Sequence, residues 1–133
     1  MTDTSSNLLR AAYEDQGFVF GTMLSGGGTS RLPGAIDGVQ LFLSGPTPKA
    51  GDELELTEVS LNDLSAGGED ALKMMGFTIG IFAPEAESWL VEQLNIALAN
   101  PGEAFEVSEQ FEFVTLTLSA FTDQMQSIEL TVE

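Results

Sequence analysis

Through AFEVSEQFEFVTLTLSAF, residues 104–121, and again through SIELTVE, residues 127–133, apolar and polar side chains alternate almost residue by residue. A period of two has one structural use: a β-strand that buries one face and wets the other. β-Branched and aromatic residues fill both segments, as a pleated, half-buried surface requires. The pattern predicts two or three strands joined by a turn at Thr122 to Gln126. The alternation slips once, because Phe111 and Phe113 are opposite in parity to Val114, Leu116 and Leu118. A bulge near Phe113, or a strand buried on both faces, reconciles the two halves.

The rest of the chain mixes this period with the helical one. Ser5 or Ser6 offers an N-cap hydroxyl, NLLRAAYED sets Leu8 or Leu9 with Ala12 and Tyr13 at helical spacing, and Gly17 ends the helix. GFVFGTML reads as a strand, and AIDGVQLFL as the next, with Val39, Leu41 and Leu43 on one face and Gln40 and Phe42 on the other. Ser44 to Asp52 is a loop, its conformation set by Pro46, Pro48, Gly45 and Gly51. ELELTEVSL predicts a strand with a register change near Thr57 or Glu58.

Ser65 caps a short helix carrying Ala71, Leu72 and Met75 and closed by Gly76, and FTIGIF alternates as a further strand. A longer helix starts at Pro84, has Glu85 and Glu87 near its positive end, and aligns Ala86, Leu90, Leu94, Ala97 and Leu98 on one face before Asn100-Pro101-Gly102 stops it. Strands at both ends with the strongest helix between them predict an α+β fold: a mainly antiparallel sheet of about six strands with two or three helices packed on one face. With no repeat and no long linker, residues 1–133 form one domain.

Composition narrows the chemistry. The 133 residues include no cysteine and no histidine. Disulfides, thiolate nucleophiles, a Ser-His-Asp triad and imidazole-bound zinc are all excluded. A carboxylate pair, a Ser-Lys dyad or carboxylate-held magnesium is what remains for an enzyme, and the expectation is a non-catalytic chain without a cofactor.

Asp and Glu number 21 against Arg10, Arg31, Lys49 and Lys73, a formal charge of −17. Such a chain is repelled by nucleic-acid phosphates and anionic lipid, so direct binding to nucleic acid or to a membrane is not expected. A solubilising surface, a basic protein partner, or mimicry of nucleic acid in a partner's basic groove accounts for the acidity. The N-terminal residues lack the basic and apolar regions of a secretory signal, and no apolar run approaches the ~20 residues of a membrane span; the expected location is cytoplasmic.

SGGGTSRLPG, Ser25 to Gly34, invites a phosphate-cradle reading and resists it. No lysine follows the glycines, and Pro33-Gly34 leads into an extended segment rather than a helix. What remains is a connection of about ten residues, long enough to be a binding flap, with Gly26, Gly27 and Gly28 forming a small nest and Arg31 orienting an acidic group.

LNDLSAGGED gathers Asn62, Asp63, Glu69 and Asp70 outside the frame of an EF-hand, and reads as a capped helix start with no metal assigned. Asp52, Glu53 and Glu55 read as a solvated strand face. Met74, Met75, Phe77 and Phe82 read as core or as an adaptable groove, with Trp89, one position off the helical stripe, as an interface anchor.

The leading expectation is an acidic interaction domain binding a basic protein. A pocket protein with a small apolar or acidic ligand between sheet and helices, under the Ser25 to Gly34 loop, is the second. A hydrolase or transferase using carboxylates and a divalent metal is the third.

Overall fold

The computed structural model describes residues 5–36, 38–63, 69–99, 105–120 and 128–133. In chain order the elements are α1 (Ser6–Asp15), β1 (Val19–Phe20), β2 (Leu24–Gly26), β3 (Thr29–Ile36), β4 (Val39–Pro46), β5 (Glu58–Asp63), α2 (Glu69–Phe82), α3 (Glu87–Ala99), β6 (Phe105–Gln110), β7 (Thr115–Ala120) and β8 (Ile128–Val132), with a 3₁₀ turn at Pro84–Ala86. The strands form one antiparallel sheet in the order β1-β3-β4-β5-β8-β7-β6, with β2 also on β3. It is an α+β fold with three helices, and the sheet exceeds the expected six strands.

The extra strands come from the glycine-rich stretch. Gly27 and Gly28 adopt φ of 62° and 83°, the paired positive values of a two-residue hairpin turn, and Gly26 registers directly with Thr29. The expected Ser25 to Gly34 connection is therefore the end of β2, the two turn residues Gly27 and Gly28, and the first part of eight-residue β3, which runs through Pro33 and Gly34. Gly38, at φ 74°, belongs to the next turn, so AIDGVQLFL is the junction of β3 and β4 rather than one strand.

FTIGIF is helical, not extended. Met74, Met75, Thr78 and Ile79 are buried at the i, i+1, i+4, i+5 spacing of one helix face, and α2 continues through Gly76 to Phe82. Six apolar residues suit either period, and the covering layer decides between them. α3 follows its sequence pattern, with Ala86, Leu90, Leu94 and Ala97 buried; the side chain of Leu98, the Ser65 cap, the Asn100-Pro101-Gly102 stop and the Thr122 to Gln126 turn lie outside the described residues.

The two parity slips resolve differently, the first as a bend at Thr57 and the second as a chain reversal. β5 begins only at Glu58, while Leu54 and Leu56 are buried on a segment that leaves the sheet and crosses Gly45 so closely that a Cβ there would stand 1.8 Å from the Glu55 carbonyl oxygen. The second slip is a tight turn between β6 and β7, where Phe111 N–H donates to the Val114 carbonyl at 2.8 Å and Phe113 is left exposed.

Alternation puts Val39, Leu41, Leu43, Val59, Leu61, Leu116, Leu118, Ile128, Leu130 and Val132 on the buried face, under the helices. α1 is held there by Tyr13. Its ring meets Phe18 and Phe77 edge-on at 5.2 and 5.3 Å, and its hydroxyl bonds Thr78 Oγ1, which donates onward to the Met74 carbonyl at 2.9 Å. Burial pushes the Tyr13 phenol well above its ordinary range. Because Thr78 keeps its own acceptor, Tyr13→Phe is expected to cost about 1 kcal/mol in urea unfolding and Tyr13→Ala about 3–5 kcal/mol.

Candidate functional site

The hairpin tip is built for self-contained hydrogen bonding. Ser25 Oγ and Ser30 Oγ lie 2.7 Å apart, Ser30 Oγ donates to Thr47 Oγ1 at 3.0 Å, and Thr47 N–H reaches the Gly28 carbonyl at 2.9 Å. These bonds tie the tip to the chain after β4. Arg31 does not join Gly26, Gly27 and Gly28 around a common point: it sits in β3 opposite Ser44, on the sheet face away from the helices, with its guanidinium 4.8 Å above the Phe42 ring.

Trp89 lies on the other side of the sheet. It is half-buried on α3, edge-on to Phe111 at 5.8 Å, and its indole N–H is buried without a hydrogen-bond partner among the described residues. The predicted binding residues thus occupy opposite faces. The acidic segment is divided in the same way: Asp63 is buried on the helix side of β5 and Asn62 is on the open side, while the side chains of Glu69 and Asp70 lie outside the described residues. Among the described residues no group of three acidic side chains is placed to hold a metal ion.

What the sheet does assemble is a polar face that, among the described residues, no helix covers. Registered rows carry Pro33, Phe42, Ser60, Thr131, Thr117 and Ser108, and beside them Gln40, Asn62, Glu129, Ser119 and Glu106. Glu133 follows Val132, which registers with Val59, so it continues the row of Glu58. Hydroxyls bond along this face, Ser108 to Thr117 at 2.9 Å and Thr131 to Glu129 at 3.1 Å.

Its charge is segregated. Between Gln16 and Gly51, which includes β1 to β4, the charged residues are Arg31, Asp37 and Lys49 alone. β5, β8, β7 and β6 bring Glu58, Glu129, Glu106 and the adjoining Glu133 to one wing. Partial burial, then the carboxylates of Glu133 and Glu129, raise the Glu58 pKa above the ordinary 4.5, against the opposing pull of Arg31. The acidic count in sequence was the available signal; that these glutamates share a face was not readable from it.

Glu53 is exposed, as expected, but it precedes β5 rather than lying on a strand and has a role beyond solvation. Its Oε1 accepts from Ser5 Oγ, from Ser6 Oγ at 3.1 Å and from the Asn7 amide at 2.6 Å, closing the N-terminus of α1 from across the fold. The Asn7 amide, then the Ser5 hydroxyl, hold its carboxyl below 4.5. A polar cleft of about 460 Å³ opens beside it, lined by Asn7, Arg10, Thr22, Met23, Asp52 and Glu53 among others. Arg10 pairs with Glu14 at 3.4 Å and lies 5.4 Å from the Phe20 ring.

No family profile, curated protein or solved structure matches this chain. Among the described residues no helix is long and apolar enough to cross a membrane.

The two glutamates act on stability with opposite signs. Glu53, lowered in the folded state, stabilises above pH 4.5 and loses that effect as pH falls through its folded value; Glu58, raised, is unfavourable when charged and is relieved as pH falls from above its folded value toward 4.5. In thermal melts, Glu53→Gln is expected to lower Tm at pH 7 and Glu58→Gln to raise it, with both differences vanishing on acidification.

Proposed function

We propose that this is a non-catalytic interaction domain whose acidic sheet wing, β5-β8-β7-β6, receives a basic segment of another protein. The observation that carries the reading is the coincidence of an uncovered face with segregated charge. Four strands about 4.8 Å apart and about six residues long present a surface of roughly 20 by 20 Å, the scale of a small, transient interface. Glu58, Glu129, Glu133 and Glu106 supply a negative field with Arg31 at its margin, so a cationic group gains from approaching and an anionic one does not.

The hydroxyl and amide rows between them offer hydrogen bonds to an extended chain or an exposed side chain. Lacking thiol and imidazole, the protein has little with which to break bonds. In this reading it works by contact, as a cytoplasmic protein without a cofactor.

The cleft beside Glu53 favours a second reading, a small acidic ligand held by Arg10, although Asp52 and Glu53 line the same space. One titration separates the two. Binding of a lysine-rich peptide or basic protein is expected to weaken at least tenfold between 50 and 300 mM salt, and to fall similarly when Glu58, Glu129 and Glu133 are replaced by glutamine together. No binding of the basic peptide, together with saturable binding of a small dicarboxylate that is lost in Arg10→Ala, would establish the cleft instead.

A further inference from the structure

β6 is the outermost strand of the acidic wing, and the bonds beside it fix which of its main-chain groups face outward. Thr115 exchanges both main-chain hydrogen bonds with Glu133, at 2.9 and 3.0 Å, so its polar groups point toward β8. Gln110 registers with Thr115 and is therefore its non-hydrogen-bonded partner. One residue on, the Phe111 N–H does turn to the β7 side, where it donates to the Val114 carbonyl at 2.8 Å. By alternation Phe105, Val107 and Glu109 bond β7, while the N–H and carbonyl groups of Glu106, Ser108 and Gln110 point out of the sheet. The hydroxyl bond between Ser108 and Thr117 fits the closer spacing of such a pair. Among the described residues no strand pairs with this edge.

The two ends of the sheet differ. Outside β3 the chain is broken into β1 and β2, two and three residues long, and edges so short offer little to pair with. β6 runs for six residues. Its side chains divide by face: Phe105 and Val107 pack against the core from the helix side, and Glu106, Ser108 and Gln110 are exposed on the open side.

Charge selects the occupant. No lysine or arginine follows Lys73, so β6, β7, β8 and the turn after β6 hold Glu106, Glu109, Glu112 and Glu129 with no cation among them. A second copy of β6 laid along the first would bring the Glu106, Glu109 and Glu112 carboxylates of two chains together, which like charge opposes. A strand bearing lysine or arginine has the opposite balance.

Taking the basic partner proposed above as the premise, we infer that its segment joins the sheet as a further strand along the outer edge of β6, antiparallel as every strand pair of this sheet is. Main-chain bonds to Glu106, Ser108 and Gln110 supply affinity, and alternate side chains supply selectivity. Residues opposite Glu106, Ser108 and Gln110 share their face and are basic or polar; those between them lie beside Phe105 and Val107 and are apolar. The ligand is an alternating basic and apolar stretch of about six residues.

An alternating lysine–valine peptide, titrated into the full chain at low salt and followed by fluorescence anisotropy, tests the contact. N-methylation of its lysine amides, which face β6 in antiparallel addition, is expected to weaken binding roughly tenfold or more, and N-methylation of its valine amides, which face away, to leave it unchanged. On the protein, Ser108→Pro removes an outward N–H and no bond to β7. It is expected to keep the parent circular dichroism and lose the peptide, whereas Ser108→Ala retains that N–H and binds. If Ser108→Pro does not fold, the two methylated peptides decide. An unmethylated peptide that does not bind at low salt overturns the basic-partner reading and the inference with it. Salt-sensitive binding that both methylation patterns affect alike, or that folded Ser108→Pro leaves intact, overturns the inference alone and leaves the basic partner standing. A two-chain mass for the protein by itself in sedimentation, reduced to one chain by Ser108→Pro, assigns the edge to a second copy and overturns it too.

Discussion

Burial on one side of the sheet is the constraint from which the rest follows. The chain has no disulfide, so its stability rests on packing and hydrogen bonding around a single core. That core lies between the sheet and three helices, and the inward residues of β4, β5, β7 and β8 are nearly all aliphatic. Once the helices are committed to one face, no described element lies over the other. Its hydroxyls, amides and glutamates are what a strand must present to water when its alternate residues are buried.

Fixing the helices takes specific contacts as well as apolar area. α1 is held at its start by the Glu53 carboxylate and in its middle by Tyr13, through Thr78 and the rings of Phe18 and Phe77. The first contact couples α1 to the segment crossing Gly45, and the second couples it to α2. Both keep the helical layer on its side of the sheet. The acidic wing is thereby left accessible, and the proposal of a basic partner depends on that accessibility more than on any single carboxylate.

Residues whose period was unambiguous were read correctly from sequence. Val39, Leu41 and Leu43 are buried together, Leu9 and Tyr13 face inward from α1, and Ala86, Leu90, Leu94 and Ala97 face inward along and just before α3. Phe77 to Phe82 misled because a short apolar run alternates and also fits a helix, and only packing over the sheet distinguishes them. The three glycines misled in the other direction. They look like part of a long loop, but Gly27 and Gly28 are the turn of a hairpin, and Thr29 to Ile36 pairs with β4 as a strand. That Arg31 and Trp89 lie on opposite faces of the sheet is something only the strand pairing decides.

From its own residues the chain determined an α+β architecture, its acidity and the exclusion of thiol and imidazole chemistry, because composition and the two periodicities are local properties. Strand order, the transfer of Glu53 to the end of α1, and the grouping of Glu58, Glu129, Glu133 and Glu106 on one wing were decided by tertiary structure. Each depends on pairing between segments far apart in the chain, as when β8 docks beside β5, and no local pattern encodes which strand will be its neighbour.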